Sequence, residues 1–249
     1  MARRFWQAEH GLYADEATAD WRLRPYRGQN ANMHAVEACL AAFEATAEQR
    51  FLDRAETVAT NIVQRQAALS DGLIWEHYSE NWSLDWDYNR CDMSNIFRPW
   101  GYQPGHFTEW SRLLLKLEEH RPLPWLLPRA RALFDTAMQR AWDDQHEGLY
   151  YAIAPDFGIC DERKYHWVQC ETLAAAAVLG RRTADASYWQ WYDRLWSYCW
   201  RHWVDHEHGA WFRLLHRNNV NTTDEKSPAG KVDYHTTGAC WAILPTLDR

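Results

Sequence analysis

The sequence has no apolar run near the roughly 18 residues that a bilayer-spanning helix needs, which excludes membrane insertion. Arg3 and Arg4 stand near the start with no apolar stretch behind them, so a secretory signal is not expected there. Positive charge is not in excess. With 27 Lys and Arg against 34 Asp and Glu, the net charge is −7, and this argues against a nucleic-acid partner, because phosphate binding needs a basic face. There is no CxxC: the six cysteines (39, 91, 160, 170, 199 and 240) are scattered singly. Cys39, Cys170 and Cys199 fall inside apolar helical patterns, where a free thiol packs as a small hydrophobe. Reduced thiols and a cytoplasmic location are the expectation.

Tryptophan is abundant, at 17 of 249 residues. Indole faces stack well on sugar rings, yet bulky Trp also serves as core between the helices of repeat proteins.

The chain repeats itself. One turn tag occurs as Glu9-His10-Gly11-Leu12-Tyr13, Ser70-Asp71-Gly72-Leu73-Ile74-Trp75, His146-Glu147-Gly148-Leu149-Tyr150 and Glu207-His208-Gly209-Ala210-Trp211. A second tag follows each: Met33-His34-Ala35-Val36-Glu37, Gly105-His106-Phe107-Thr108-Glu109, Trp167-Val168-Gln169-Cys170-Glu171 and Tyr234-His235-Thr236-Thr237-Gly238. Positions 34, 106, 168 and 235 are 72, 62 and 67 apart. Two tags sharing a period identify an array.

Between the tags, apolar residues recur at helical spacing. Leu40, Phe43 and Ala47 form one set, and Phe51, Ala55, Val58 and Ile62 the next. Leu113–Leu117 precede Leu126, Ala130, Leu133, Phe134, Ala137 and Ala141. Leu173–Leu179 precede Tyr188, Trp189, Tyr192, Leu195, Trp196, Cys199 and Trp203. Asp71-Gly72, Pro99, Pro104-Gly105, Pro155 and Pro228 break the helices. Short alternations such as Leu149-Tyr150-Tyr151-Ala152-Ile153 predict small β-ribbons.

These patterns predict an all-α fold, an (α/α)6 toroid of helical hairpins. The expectation is that about four of six hairpins are present, with residues 1–249 a single catalytic domain that corresponds to the C-terminal two-thirds of a larger ring. An incomplete ring would leave apolar faces open to self-association.

The second tag puts polar groups near the starts of successive first helices, where helix dipoles bring partial positive charge. His106 and Glu109 are three apart, hence on one face, and a carboxylate beside an imidazole fixes its tautomer. His34 and Glu37 repeat the pair, His235 keeps the His while Gly238 replaces the Glu, and Glu171 stands without the His. A structural His would be kept throughout; a His that comes and goes on a constant helix points to chemistry. The His202–His208 run overlies a turn tag and matches Asp143-Asp144-Gln145-His146, so a turn is expected there rather than a metal site. A divalent ion held by the paired HxxE elements would need more carboxylates than the tags offer, so no metal and no cofactor are expected.

Asn30-Ala31-Asn32-Met33-His34-Ala35-Val36-Glu37-Ala38, Gly101-Tyr102-Gln103-Pro104-Gly105-His106-Phe107-Thr108-Glu109-Trp110, Lys164-Tyr165-His166-Trp167-Val168-Gln169-Cys170-Glu171 and Lys231-Val232-Asp233-Tyr234-His235 together resemble the N-acylglucosamine 2-epimerase superfamily, in its mannose isomerase branch. The resemblance implies cofactor-free conversion of aldoses to ketoses or C2 epimers. It implies His106 and His235 as the acid/base pair, with Glu109 supporting His106. Asn30, His34 and Arg98 would bind a monosaccharide, and Trp167, Gln169 and Glu171 would line the same cavity. It also implies a substrate-binding arginine from an earlier repeat, outside these residues. The leading expectation is an aldose–ketose isomerase acting on mannose. The alternatives are an N-acylglucosamine or cellobiose 2-epimerase, an α/α-toroid glycoside hydrolase, and an inactive sugar-binding fragment. Inverting hydrolysis wants two facing carboxylates, where these tags offer histidine.

Overall fold

The tags fold into turns. In the structure, a computed structural model that describes residues 2–92, 95–227 and 233–247, the four tag glycines all take left-handed backbone: φ is 63° at Gly11, 81° at Gly72, 77° at Gly148 and 78° at Gly209. Glycine enters that region without a Cβ clash. In three tags the chain doubles back across the glycine. Strand β1 (Trp6–Gln7) pairs with β2 (Leu12–Tyr13), Trp6 opposite Tyr13. The bridges Trp142 to Leu149 and Val204 to Trp211 repeat that span.

The residue that opens each of these turns is held by a cationic side chain further along. Arg27 Nε donates to Gln7 Oε1 at 2.9 Å, Lys164 Nζ lies 3.1 Å from Asp143 Oδ2, and Lys226 pairs with Asp205. Asp143 Oδ1 also accepts the amides of Gln145 and His146, as Asp205 Oδ1 accepts those of Glu207 and His208. This is the side-chain-closed turn that Asp favours. The His202–His208 run is a turn of the same kind, its Asp205 carboxylate engaged by two amides and Lys226.

Strand β3 (Arg27–Gly28) runs straight into α2 (Gln29–Thr46), and β7 (Lys164–Tyr165) into α6 (His166–Thr183). Each is pinned by a strand from beyond the next turn tag. Strand β4 (His77–Tyr78) pairs with β3, and β8 (Leu214–Leu215) pairs with β7. The pairing fixes where the first turn of each helix points. Strands β5 (Ala152–Ile153) and β6 (Ile159–Asp161) form the expected ribbon after Gly148.

A short α1 (Ala2–Phe5) opens the chain, and α4 (Pro104–His120) and α8 (Tyr234–Ile243) begin the other two repeats. The returning helices are α3 (Gln49–Thr60), α5 (Leu126–Ala141) and α7 (Ala186–His202). Beyond Thr60 the chain stays helical through a π-helical stretch, Asn61–Gln66, and a 3-10 turn, Ala67–Ser70. Ala47 and Ala184 close α2 and α6 in the left-handed region, φ 56° and 54°, with their amides bonded to Phe43 O and Gly180 O. Ala47, expected on the apolar stripe of α2, is thus its cap, because apolar spacing alone does not separate a last turn from the residue that ends it.

The residues fall into two compact units: Met1–Tyr102 with Lys116–Leu123, and Gln103–Leu115 with Pro124–Arg249. The first has Met33, Leu40, Ile62 and Trp75 fully buried. In the second, Leu126, Ala130, Leu133, Phe134, Ala137 and Ala141 of α5 are buried as their spacing predicts, with Trp110 and Trp203. These tryptophans serve as core. Among the described residues no helix is long and apolar enough to cross a membrane. Pro228, expected to break a helix, and Lys231-Val232 of the last tag lie outside the described residues.

Candidate active site

Helix α4 begins with Pro104, a residue suited to a first helical turn because its missing N–H is not needed there. His106, Glu109 and Arg112 then follow one another at intervals of three along it. Trp167 and Glu171, four apart, share a face of α6, and His235 stands in the first turn of α8. All of these residues belong to the second unit.

Their side chains meet. The Trp167 ring lies 5.0 Å from the His106 ring and 5.5 Å from the His235 ring, centroid to centroid, tilted by 36° and 35°. Tyr151 supports the indole edge-on at 6.1 Å. The indole reaches this place because Gly105 leaves room for it: a Cβ there would fall 2.5 Å from Trp167 Cζ3. Beside the rings, His235 Nδ1 is 2.8 Å from Glu171 Oε1. Arg112 meets the other carboxylate oxygen, Oε2, with Nε and Nη2 each at 3.0 Å. Glu171 is 2% exposed and Glu109 0%. The Thr108 and Thr172 hydroxyls, 3.1 Å apart, tie α4 to α6 just behind the site.

An imidazole that donates Nδ1–H to a carboxylate keeps its Nε2 lone pair free to take a proton. One atom each from Glu109, Glu171 and His235 lie within 4.8 Å of one another, a spacing that also suits a metal ion. The two oxygens of Glu171 are, however, already divided between Arg112 and His235, so an entering cation would displace one of them. The arrangement suits proton transfer: two imidazoles against one indole, with buried carboxylates behind.

Five of the expected residues therefore come together: His106, Glu109, Trp167, Glu171 and His235. Gln169 does not join them. It is fully buried, and its amide clasps the backbone of Leu149, accepting N–H through Oε1 and donating Nε2–H to the carbonyl, both at 3.0 Å. Two residues along an α-helix turn through about 200°, so a Trp167 and Glu171 that face the site send Gln169 away from it. Asn32 does the same in the first unit, clasping Tyr13 N and O at 2.8 and 3.0 Å. Arg112, absent from the expected set, lies one turn beyond Glu109.

Asn30, His34 and Arg98 belong to the first unit. Asn30 and His34 are one turn apart on α2, and His34 Nδ1 is 3.6 Å from Glu37 Oε2. Arg98 lies over the Tyr26 ring at 3.9 Å and bonds Tyr88 Oη and Glu16 Oε2, each at 3.3 Å. His77 holds the next residue: its Nε2 is 2.8 Å from Pro99 O, and its Nδ1 is 2.9 Å from Tyr26 Oη. A carbonyl only accepts, so Nε2 carries the proton and the Tyr26 hydroxyl donates to Nδ1. Burial keeps the His77 pKa below its ordinary value, consistent with that neutral ring.

Residues 1–239 match the N-acylglucosamine 2-epimerase (GlcNAc 2-epimerase) family. The chain is 52% identical over 245 residues, 98% of its length and 62% of the relative's, to a D-mannose isomerase of Marinomonas mediterranea. A solved D-mannose isomerase superposes on 98% of the chain with a TM-score of 0.96 and 52% identity, over 63% of its own length. The cellobiose 2-epimerase of Spirochaeta thermophila shares the fold at 22% identity, with a TM-score of 0.83 over 99% of this chain and 61% of its own. The chain thus spans about three-fifths of the length of these relatives. It belongs to the N-acylglucosamine 2-epimerase family.

Proposed function

We propose that this protein is a cofactor-free aldose–ketose isomerase that interconverts D-mannose and D-fructose, with His106 and His235 moving the protons. The proton on C2 beside a sugar carbonyl is weakly acidic. Its removal needs a base that titrates near neutrality and a site that tolerates the enediolate. His235 takes this proton through Nε2, exchanges it with solvent and delivers a proton to C1, giving the ketose. His106, also beside Trp167, moves the proton between O1 and O2. Asn30, His34 and Arg98 are assigned to binding sugar oxygens. The observation that carries the reading is the 2.8 Å contact between His235 Nδ1 and Glu171, with His106 and His235 both against Trp167. The likeness to a protein named D-mannose isomerase supports the choice of sugar.

We read the repeated hairpins as part of an (α/α)6 toroid. The location is read as cytoplasmic, in keeping with six cysteines scattered singly along the sequence. Return of the proton to the other face of C2 would make an epimer. The test is to incubate the chain with D-mannose, D-glucose, N-acetylmannosamine and cellobiose and separate the products. Fructose from mannose, lost in H106N and H235N, supports the reading. An N-acyl or disaccharide epimer as sole product replaces it.

A further inference from the structure

Glu171 is shared by three helices. It stands on α6, accepts Arg112 of α4 on Oε2 and faces His235 of α8 with Oε1. The side-chain exposures are 11% for Arg112, 2% for Glu171 and 11% for His235. Water therefore does little to set the protonation of this chain of groups. Among the described residues, the charged groups facing Glu171 include Arg112 and Glu109 from α4 and His235 from α8, and an oxygen of Glu109 stands within 4.8 Å. Burial and the neighbouring Glu109 both favour a neutral Glu171, and Arg112 opposes them.

The protonation of Glu171 decides what His235 can do. As a carboxylate it only accepts, so His235 must turn an N–H at Nδ1 toward it, and Nε2 is left basic. As a carboxylic acid it can donate to Nδ1, which then carries the lone pair while Nε2 holds the proton. In that tautomer Nε2 cannot take a proton from the sugar. We infer that Arg112 is a positioning residue for proton transfer: by keeping Glu171 ionised, it sets the tautomer of His235 through a carboxylate and without touching substrate. Only the kinetic readout below rests on the isomerase reading.

The experiment combines nitrogen-15 NMR of the histidine rings in this chain with mannose turnover across pH. In the unaltered protein, neutral His235 shows its proton on Nδ1. In Arg112→Met the proton moves to Nε2 wherever Glu171 is protonated. The kcat then falls roughly a hundredfold or more, as for other wrong-tautomer imidazoles, with KM nearly unchanged. Activity in Arg112→Met recovers as pH rises and Glu171 ionises, so the acid limb of the profile moves upward. Arg112→Lys restores most of the rate and the Nδ1–H tautomer. Glu171→Gln, which keeps the size of the side chain, gives a mixture of tautomers and makes Arg112→Met nearly silent in the double variant. An Nδ1–H tautomer with an unshifted pH profile in Arg112→Met overturns the inference. So does an unchanged tautomer in Glu171→Gln, which serves if the Met variant loses its cooperative melt. If no sugar is turned over, the proposed function fails while the NMR result still decides the role of Arg112.

Discussion

Gly105 lies so close to Trp167 that a Cβ on it would come within 2.5 Å of the indole and 2.9 Å of Val168 Cγ2. Helix α4 can therefore bring His106 beside Trp167 only with a glycine at this position. Gly105→Ala should force the indole or the helix start to shift, separating Trp167 from His106. Overpacking of this kind typically costs about 1–3 kcal/mol. The expected outcome is a modest drop in melting temperature with a larger loss of turnover. A variant as active as the parent would show that the ring contacts are incidental.

A second expectation concerns pH. Burial pushes the Asp15 carboxyl up to about 7, despite the Gly28 N–H it accepts at 2.7 Å at the start of α2. A group whose folded pKa is raised contributes stability that is complete below its unfolded value, near 4, and is lost as pH climbs through its folded value. The gap corresponds to on the order of 4 kcal/mol. Melting temperature should thus fall between about pH 4 and 7 and level off above, and Asp15→Asn, whose amide oxygen can still accept from Gly28, should flatten that slope. Parallel slopes for the two proteins would remove Asp15 from the account.

A third concerns association. Trp241, Leu244 and Leu247, at the C-terminal end of the described residues, are 80%, 63% and 41% exposed. Clustered apolar surface of this kind rarely stays solvated. Light scattering should show concentration-dependent self-association, reduced in Trp241→Gln/Leu244→Gln. Monodisperse monomers at tens of micromolar would contradict it.

Much of the hairpin pattern was legible in the sequence, because two tags of equal period and the three-and-four spacing of apolar residues report the same geometry. The left-handed φ at Gly11, Gly72, Gly148 and Gly209 explains why glycine marks each first tag. The candidate site was legible in part. His106, Glu109, Trp167, Glu171 and His235 sit in the tags, but the contact of His235 with Glu171 joins residues 64 apart in the chain, and no local spacing reveals that. Arg112 escaped because it lies beyond the tag and meets Glu171 from 59 residues away. Gln169 was a different kind of miss: helical rotation alone turns it from the site.

The central claim is that His235 and His106 carry a proton between sugar carbons. It is tested most directly by following D-mannose in deuterated water by proton NMR, with this chain, His235→Asn and His106→Asn. Proton exchange with solvent at the enediolate predicts fructose carrying deuterium at C1 and recovered mannose carrying it at C2, with both signals lost in each variant. Fructose formed without deuterium, or deuterium incorporated equally by the His235→Asn protein, would contradict the account.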